Sequence, residues 1–264
     1  MAITTLDGWK AAAKQVVNLI KTATRITVTT GWFSVFDLAG NPGAGTLAGS
    51  STAAGVVPDD STPGCPPINA FGGGNVGELS IVDFGSSVAG RLKLFDMLFK
   101  AGAYAFNANT ALAAQPSYAA RVPGADYSGL QIWIEAVTAF TGFMSVAVTY
   151  TNQAGTAGRT TGTVATGVTP TVGRMIQLPL QAGDSGVQKI ESVVGSVATV
   201  GTFNVLVLRP LWSGRVRLAN EGDIHGMDKT GGPQVFDTSA LFMMAATDLS
   251  SSGVFECEFQ IANG

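Results

Sequence analysis

The chain has 264 residues, enough for one large domain with a substantial buried core. Only 12% of the residues are charged, well below the usual share of about 25%, and the net charge is -3. This balance excludes a basic field that attracts nucleic acid, and a surface so short of charge must present small polar residues or be covered by other subunits.

The N-terminal segment, residues 1–24, is predicted to form a helix. Apolar residues recur there at helical spacing and polar residues occupy the other side. Thr4 and Asp7 provide the start signal. The apolar stripe needs a partner within the subunit or on a neighbour. Its members are Trp9, Ala13, Val16, Val17 and Ile20, opposite Lys10, Lys14, Asn18 and Lys21.

The next two segments differ in residue composition and periodicity. Residues 25–38 shift towards β-branched residues with a period near two, which predicts a strand. Residues 39–77 have almost no periodicity and are dense in Gly, Pro, Ser and Ala. Because a structureless segment of this length is uncommon inside a compact domain, we expect an extended arm that crosses a neighbouring subunit. A flexible tether is the alternative.

A second, buried helix is predicted for residues 84–103. Ser86 or Ser87 can cap its start, and Gly102 can end it. Its apolar residues cover almost the whole circumference, as in a helix that is buried on all sides. They are Val88, Leu92, Leu94, Phe95, Leu98 and Phe99.

From residue 126 to residue 264, short strands separated by turn signals are predicted to form the core. In the clearest case, residues 253–261, apolar and polar residues alternate strictly. Residues 136–150 carry no charge, but they contain polar residues and fall short of the ~20 apolar residues of a spanning helix. The pattern predicts a mainly β, antiparallel β-sandwich or jelly-roll-like fold in a single domain, residues 1–264.

Cysteine usage and the start of the chain indicate a soluble protein made in the cytosol. The first ten residues lack the basic end and apolar run of a secretion signal. Cys65 and Cys257 are too few for a disulfide scaffold, and neither belongs to a CxxC pair. We expect independent thiols, one of them buried in a strand, and no membrane partner.

The tetrapeptide GDSG, residues 183–186, matches the nucleophile loop of chymotrypsin-like serine proteases. A serine nucleophile needs a base, usually a histidine that is held by an acid. The one histidine of the sequence, His225, follows Ser185, whereas the chymotrypsin order places it upstream. No second glycine follows the motif, since the next residue is Val187. We therefore interpret GDSG as a turn in which Asp and Ser cap backbone groups.

Two groups of acidic residues suggest chemistry but have simpler interpretations. Asp223, His225 and Asp228 could ligate a metal ion, but no second cluster supports them, and a surface loop is favoured. Glu256 and Glu258 are paired carboxylates, whereas a glycosidase needs its two carboxylates on opposite sides of a sugar. They are interpreted as the solvent side of a strand. No catalytic, metal or cofactor site is predicted.

Two further segments resemble anion-binding sites, but neither is predicted to bind a ligand. GGGNVG, residues 72–77, matches a dinucleotide-binding pattern but lacks the strand before it and the helix after it, so a flexible loop is predicted. The densest cationic stretch contains Arg209, Arg215 and Arg217. Because acidic residues follow from Glu221, a locally balanced surface is favoured over a phosphate-binding strip.

Four segments resemble a family of virion structural proteins from tailed bacteriophages. The resemblance lies in residue composition and short sequence matches rather than in a catalytic motif. It therefore assigns no functional residues to this chain. It implies a capsid-associated or decoration-type protein that assembles with copies of itself and with the shell protein. The segments are residues 30–49, 148–160, 173–193 and 201–212.

The leading hypothesis is a non-enzymatic capsid cement or decoration protein of a bacteriophage head. It would stabilise the shell as a homo-oligomer, such as a trimer, in contact with the major capsid protein, and would reside in a virion assembled in the bacterial cytoplasm. No cofactor or specific nucleic acid is expected. The alternatives are a tail, neck or baseplate component or a receptor- or carbohydrate-binding module, which would need two of Trp32, Trp133 and Trp212 exposed in one groove. A metal-dependent enzyme is the third class.

Overall fold

A computed structural model describes residues 3, 5–72, 75–140, 145–165, 171–195 and 200–264. Within these ranges the chain is mainly β, and antiparallel strands form three sheets, which confirms the predicted β-sandwich or jelly-roll-like class. The strands are β1 (Ala13–Lys21), β2 (Phe33–Ser34), β3 (Gly40–Asn41), β4 (Gly77–Ser86), β5 (Gly90–Ala105), β6 (Asn109–Ala111), β7 (Gln131–Thr138), β8 (Ser145–Asn152), β9 (Arg159–Thr160), β10 (Val164–Ala165), β11 (Met175–Leu178), β12 (Val187–Gly195), β13 (Thr202–Val216), β14 (Glu221–His225), β15 (Gln234–Val235), β16 (Leu241–Thr247) and β17 (Phe255–Asn263).

Helical structure in the described ranges is limited to short pieces. They are α1 (Leu6–Ala11), α2 (Met227–Thr230) and two 3₁₀ turns, Ala119–Arg121 and Pro123–Ala125. None of these helices has the length and apolar character needed to cross a bilayer.

The central sheet has the order β11-β7-β13-β5-β16-β2. Its two longest strands, β5 and β13, pair along most of their length. The terminal sheet, β14-β4-β17-β1-β3 with β15 beside β4, contains the first and last strands of the chain. The third sheet has the order β10-β8-β12-β6, with β9 beside β8.

The central sheet is shared by two sandwiches. Near Leu94 its side chains pack with those of the terminal sheet, and near Tyr104 they pack with those of the third sheet. Asp96 is fully buried and lies between Leu94 and Leu98, which belong to the two different clusters. A third cluster forms on alternate positions of the same strands, from Phe95 onwards. The central sheet is therefore buried on both faces.

The predicted N-terminal helix is wrong beyond its first two turns. α1 has six residues, and the hydroxyl of Thr5 caps its start by accepting from the Gly8 N–H at 3.0 Å. β1 then pairs along its whole length with β17. Val17, Leu19 and Lys21 point inwards at alternate positions, because period two rather than period 3.6 matches the pairing with a distant strand.

The predicted helix at 84–103 is also wrong. The segment forms the end of β4, a short turn and most of β5. A run that is apolar on nearly all sides fits both a buried helix and a strand that is covered on both faces. The central position of β5 between β13 and β16 resolves this ambiguity. Residues 25–38 are likewise mostly irregular, with a strand only at β2.

Residues 47–56 of the 39–77 segment lie on the chain's own central sheet and do not extend away from it. Val56 and Lys100 exchange backbone hydrogen bonds of 2.9 and 3.0 Å, and the Gly102 N–H donates to the Ser51 carbonyl at 3.0 Å. Sequence periodicity cannot reveal such single backbone contacts. The expectation of an extended arm is therefore wrong, and a contact of its outer side with a neighbouring subunit stays a prediction.

One buried amide anchors this segment. Asn204 Nδ2 donates to the Leu47 carbonyl at 2.6 Å and to Glu135 Oε2 at 2.9 Å, and its Oδ1 accepts from the Gly49 N–H at 2.8 Å. Lys100 Nζ lies 3.9 Å from Glu135 Oε2. Burial raises the pKa of Glu135, which is fully enclosed. The loop is therefore fixed by polar groups that the sheet itself buries.

The two cysteines are free and buried, as expected for independent thiols. Burial raises the pKa of Cys65 to about 12 and raises the pKa of Cys257 further above its ordinary value. Cys257 lies in β17. Neither thiol is therefore an accessible thiolate near neutral pH.

Several predicted features include residues outside the described ranges. They are Thr4 of the helix start, Gly73 and Gly74 of GGGNVG, and the stretches 141–144, 166–168 and 196–199 of the predicted strands.

Candidate functional site

Ser185 and His225 lie in different parts of the fold. Ser185 lies in the loop before β12, and its hydroxyl is 3.4 Å from that of Ser128. His225 ends β14 of the terminal sheet, where its Nδ1 accepts from the Trp212 indole N–H at 2.9 Å. Its Nε2 lies 3.4 Å from Asp223 Oδ2. In the described part of the chain, the one histidine therefore does not lie beside the serine of the protease-like motif.

The Gly183–Gly186 segment instead forms a turn that is held by Asp184. This carboxylate accepts from Arg159 Nε at 2.9 Å, from the Tyr150 hydroxyl at 2.7 Å and from Asn152 Nδ2 at 2.8 Å. These donors, of which Arg159 has the largest effect, lower the pKa of Asp184 to about 2 because they favour its charged form. Gly183 adopts a φ of +89°, where glycine is favoured.

The Asp184 carboxylate is expected to make the protein acid-sensitive. Since its pKa is lowered from the ordinary value of about 3.9, its stabilising contribution is complete above that value and is lost as the pH falls towards about 2. Urea unfolding should therefore show a shallower loss of stability between these pH values in Asp184→Asn than in the wild type. Asp228→Asn, at an exposed aspartate, serves as the control. Equal slopes in all three proteins would contradict this role.

The three candidate metal ligands are not brought together. Asp223 Oδ2 is 3.4 Å from His225 Nε2 and 3.8 Å from Lys229 Nζ, while Asp228 is exposed on α2. The hydrogen bond from the Ile224 N–H has the largest effect and, with the nearby Lys229 and His225, lowers the pKa of Asp223. In the described ranges, no three His, Cys, Asp or Glu side chains are grouped to hold a metal ion.

The three tryptophans of the carbohydrate hypothesis do not line one exposed groove. Trp133 and Trp212 are 2% and 6% exposed, and only Trp32 is partly accessible. The arrangement required for stacking on a sugar is therefore missing for two of the three side chains.

A cationic groove is formed where β5, β13 and α2 meet. Arg209, named with Arg215 and Arg217 from the sequence, does not belong to it, since Arg209 is buried and its Nη2 lies 3.1 Å from Asp96 Oδ2. The groove has a volume of about 890 Å³, and Trp32, Asp223 and His225 also line it. We define the cationic groove by Arg91, Lys93, Arg215, Arg217 and Lys229.

Like charges stand directly opposite each other in this groove. Arg91 of β5 pairs in register with Arg215 of β13, an arrangement that destabilises a sheet. Lys93 shares the face of Arg91 and lies 4.7 Å from the ring centre of Trp32. Burial has the largest effect on Lys93 and, together with the positive charge of the nearby Arg91, lowers the pKa of this side chain. Within the described part of the chain, no carboxylate forms an ion pair with Arg91, Lys93, Arg215 or Arg217.

A second surface of opposite charge lies on the outer side of the terminal sheet. Glu256 and Glu258 alternate with buried residues of β17, which confirms that they lie on the solvent side of a strand. Glu258 pairs in register with Asp83, again a like-charge pair. This surface borders a cavity of about 660 Å³. We define the acidic face by Asp83, Glu256 and Glu258.

Exposed apolar side chains surround the acidic face. Val16 and Ile224 are 55% and 59% exposed, and Val254 is 38% exposed. Val16 pairs with Gln260 and Ile224 pairs with Asp83, so both lie on the outer side of the terminal sheet. An open sheet side that mixes apolar groups with unpaired carboxylates is typical of a protein contact surface.

Sequence reasoning missed both surfaces as sites. It found Arg215 and Arg217, but their partners Arg91 and Lys93 belonged to a predicted helix. The alternation of charged and apolar residues at 91–93 and 215–217 was the available signal. It gains meaning only when both segments are known to be strands in one register.

Comparisons with known proteins give little support to any assignment. No protein-family model matches the chain, and no curated protein matches it. Solved structures that it is similar to include a mutant VP2 protein of infectious bursal disease virus in derived T=1 particles (9% identity, TM-score 0.18). T=1 particles derived from the same virus, in a second structure, give 10% identity and a TM-score of 0.20. Each of the two matches covers 96% of this chain and 77% of the viral chain. Scores this low do not establish a common fold.

Proposed function

We propose that the chain is a non-enzymatic structural component of a bacteriophage virion. The proposed role is that of a capsid cement or decoration protein of the head, which binds copies of itself and the major capsid protein. The observation that carries the proposal is the outer side of the terminal sheet, where apolar side chains and carboxylates face solvent together.

This surface is suited to a contact with another protein. Val16 and Ile224 are each more than half exposed, although both are β-branched residues in paired strands. Removing such groups from water stabilises a complex by roughly 25 cal/mol per Å² of apolar surface before the costs of association. The same face bears carboxylates, which give a contact its specificity.

The buried charged groups of the fold also support a structural role. Asp96 and Glu135 are completely enclosed, and each holds charged or polar partners that fix neighbouring segments. Preorganised surfaces lose little conformational freedom when they bind, which favours stable contacts. The resemblance of four sequence segments to tailed-bacteriophage virion proteins supports the choice of particle.

The tail or receptor-binding alternative has weaker support. It requires exposed aromatic side chains that could stack on a sugar, and two of the three candidate tryptophans, Trp133 and Trp212, are buried. Trp32 remains accessible but lies in a groove with cationic side chains.

Binding to shells and imaging of particles test the proposal. The wild-type chain should co-sediment with shells of the major capsid protein, and its density should be found on the head of intact particles. Val16→Asp with Ile224→Asp should weaken binding by at least about tenfold, since it places charge in an apolar contact. Leu249→Asp is the control, at a residue 55% exposed outside the acidic face.

Circular dichroism should first show that each variant retains the fold. Absence of the chain from purified particles, or shell binding that is equal in the wild type and the double variant, would contradict the proposal.

A further inference from the structure

The cationic groove and the acidic face are complementary surfaces of one chain. They have no lining residue in common. The groove is defined by five cationic side chains and the face by three carboxylates. No ion pair joins the two surfaces within the described ranges.

Each surface contains a charge arrangement that is unfavourable in an isolated chain. Arg91 stands opposite Arg215, and Asp83 stands opposite Glu258. Like charges at directly opposite positions destabilise a sheet, and folding does not require them at exposed sites. A partner of opposite charge would convert both costs into favourable contacts.

The two surfaces lie on either side of β14. Ile224 pairs with Asp83 on the outer side of the terminal sheet, whereas Asp223 and His225 point to the other side of β14 and line the cationic groove. A contact between two different surfaces of the same chain is heterologous, and it forms a closed ring when the rotation between successive copies is a whole fraction of a turn.

We propose that the cationic groove of one copy binds the acidic face of a second copy of this chain. The inference rests on the proposed self-association and specifies its surfaces. Arg91, Arg215 and Lys93 would contact Asp83 and Glu258 of the other copy.

Charge reversal on each surface, and on both together, tests this pairing. The groove variant is Arg91→Glu with Arg215→Glu, and the face variant is Asp83→Lys with Glu258→Lys. A third protein, the swap variant, carries all four changes. The control is Lys10→Glu with Lys189→Glu, at exposed lysines outside the groove. Circular dichroism checks the fold of each protein.

Analytical ultracentrifugation at low ionic strength gives the association constant and the mass of the oligomer. We expect each single-surface variant to associate about a hundredfold more weakly or worse, because reversal replaces attraction by repulsion. The swap variant should regain association to within about tenfold of the wild type. An equimolar mixture of the groove and face variants should form mixed oligomers, and added salt should weaken all of these contacts.

A monomeric wild type, unchanged association in both single-surface variants, or a swap variant that stays monomeric would overturn the inference. Shell binding separates this result from the proposed function. Wild-type binding to shells together with association that ignores both reversals would reject only the pairing of surfaces. Restored association in the swap variant of a chain that is absent from particles would reject only the virion role.

Discussion

Replacing Asp96 with alanine is expected to lower the free energy of unfolding by about 3–5 kcal/mol. The Asp96 carboxylate is fully buried and accepts from Arg209 Nη2 at 3.1 Å, the Ser239 hydroxyl at 2.9 Å and the Ala240 N–H at 3.1 Å. Arg121 Nη1 lies 3.4 Å away. The substitution leaves two buried guanidinium groups without their shared counter-charge, and urea or thermal unfolding measures the loss.

Two further variants define the cause of this loss. Asp96→Asn keeps the side-chain volume and one acceptor but removes the charge. Its free energy of unfolding should therefore lie between those of the wild type and Asp96→Ala. Asp7→Ala removes an exposed carboxylate 3.9 Å from Lys10 and should change stability by less than about 0.5 kcal/mol. A change of under about 1 kcal/mol in Asp96→Ala would show that the buried ion cluster does not hold the two sandwiches together.

Replacing Asn204 with alanine is expected to cost about 2–4 kcal/mol and to loosen the segment over the central sheet. Asn204 is fully buried, and its side chain binds both the Gly49 N–H and the Leu47 carbonyl. Without it, these backbone groups lose their partners. Hydrogen exchange at the Gly49 amide should therefore become faster, beyond the change in global stability.

The variant Asn204→Asp provides an internal check. It places a second carboxylate beside Glu135, whose pKa is already raised by burial. The variant should be less stable than Asn204→Ala at neutral pH, and it should recover stability as the pH falls and a carboxylate takes up a proton. Asn107→Ala, at an exposed asparagine, is the control. Unchanged exchange at Gly49 in both Asn204 variants would show that other contacts fix the loop.

The class of the fold could be predicted from strands that have one buried face and one solvent-exposed face. In β17, buried Phe255, Cys257 and Phe259 alternate with Glu256 and Glu258, so the sequence alone indicates the period. β5 lacks this signal because the central sheet is covered on both sides. Its apolar run was therefore assigned to a helix.

The N-terminal strand was missed for a different reason. Val16, Val17 and Ile20 fit one face of a helix, whereas the strand buries Val17, Leu19 and Lys21, and a lysine at a buried position hides the period of two. Pairing with β17, at the other end of the chain, determines the structure. Contacts of this kind are invisible to any short window of sequence.

The candidate surfaces depend on register as well as on strands. Arg91 and Arg215 are far apart in sequence and meet because β5 and β13 pair with one particular alignment. A slip of one residue would place these side chains on the opposite side of the sheet. Composition indicated a surface made for contact with other subunits, but it contained no information about which charges come together.

The position of β17 has a consequence for biosynthesis. This last strand lies between β4 and β1, and it carries Glu256 and Glu258. A nascent polypeptide that has not been translated beyond residue 255 therefore lacks the middle of the terminal sheet and two of the three residues that define the acidic face. Polysomes that translate several copies side by side cannot join them through this face until each copy has been translated beyond β17.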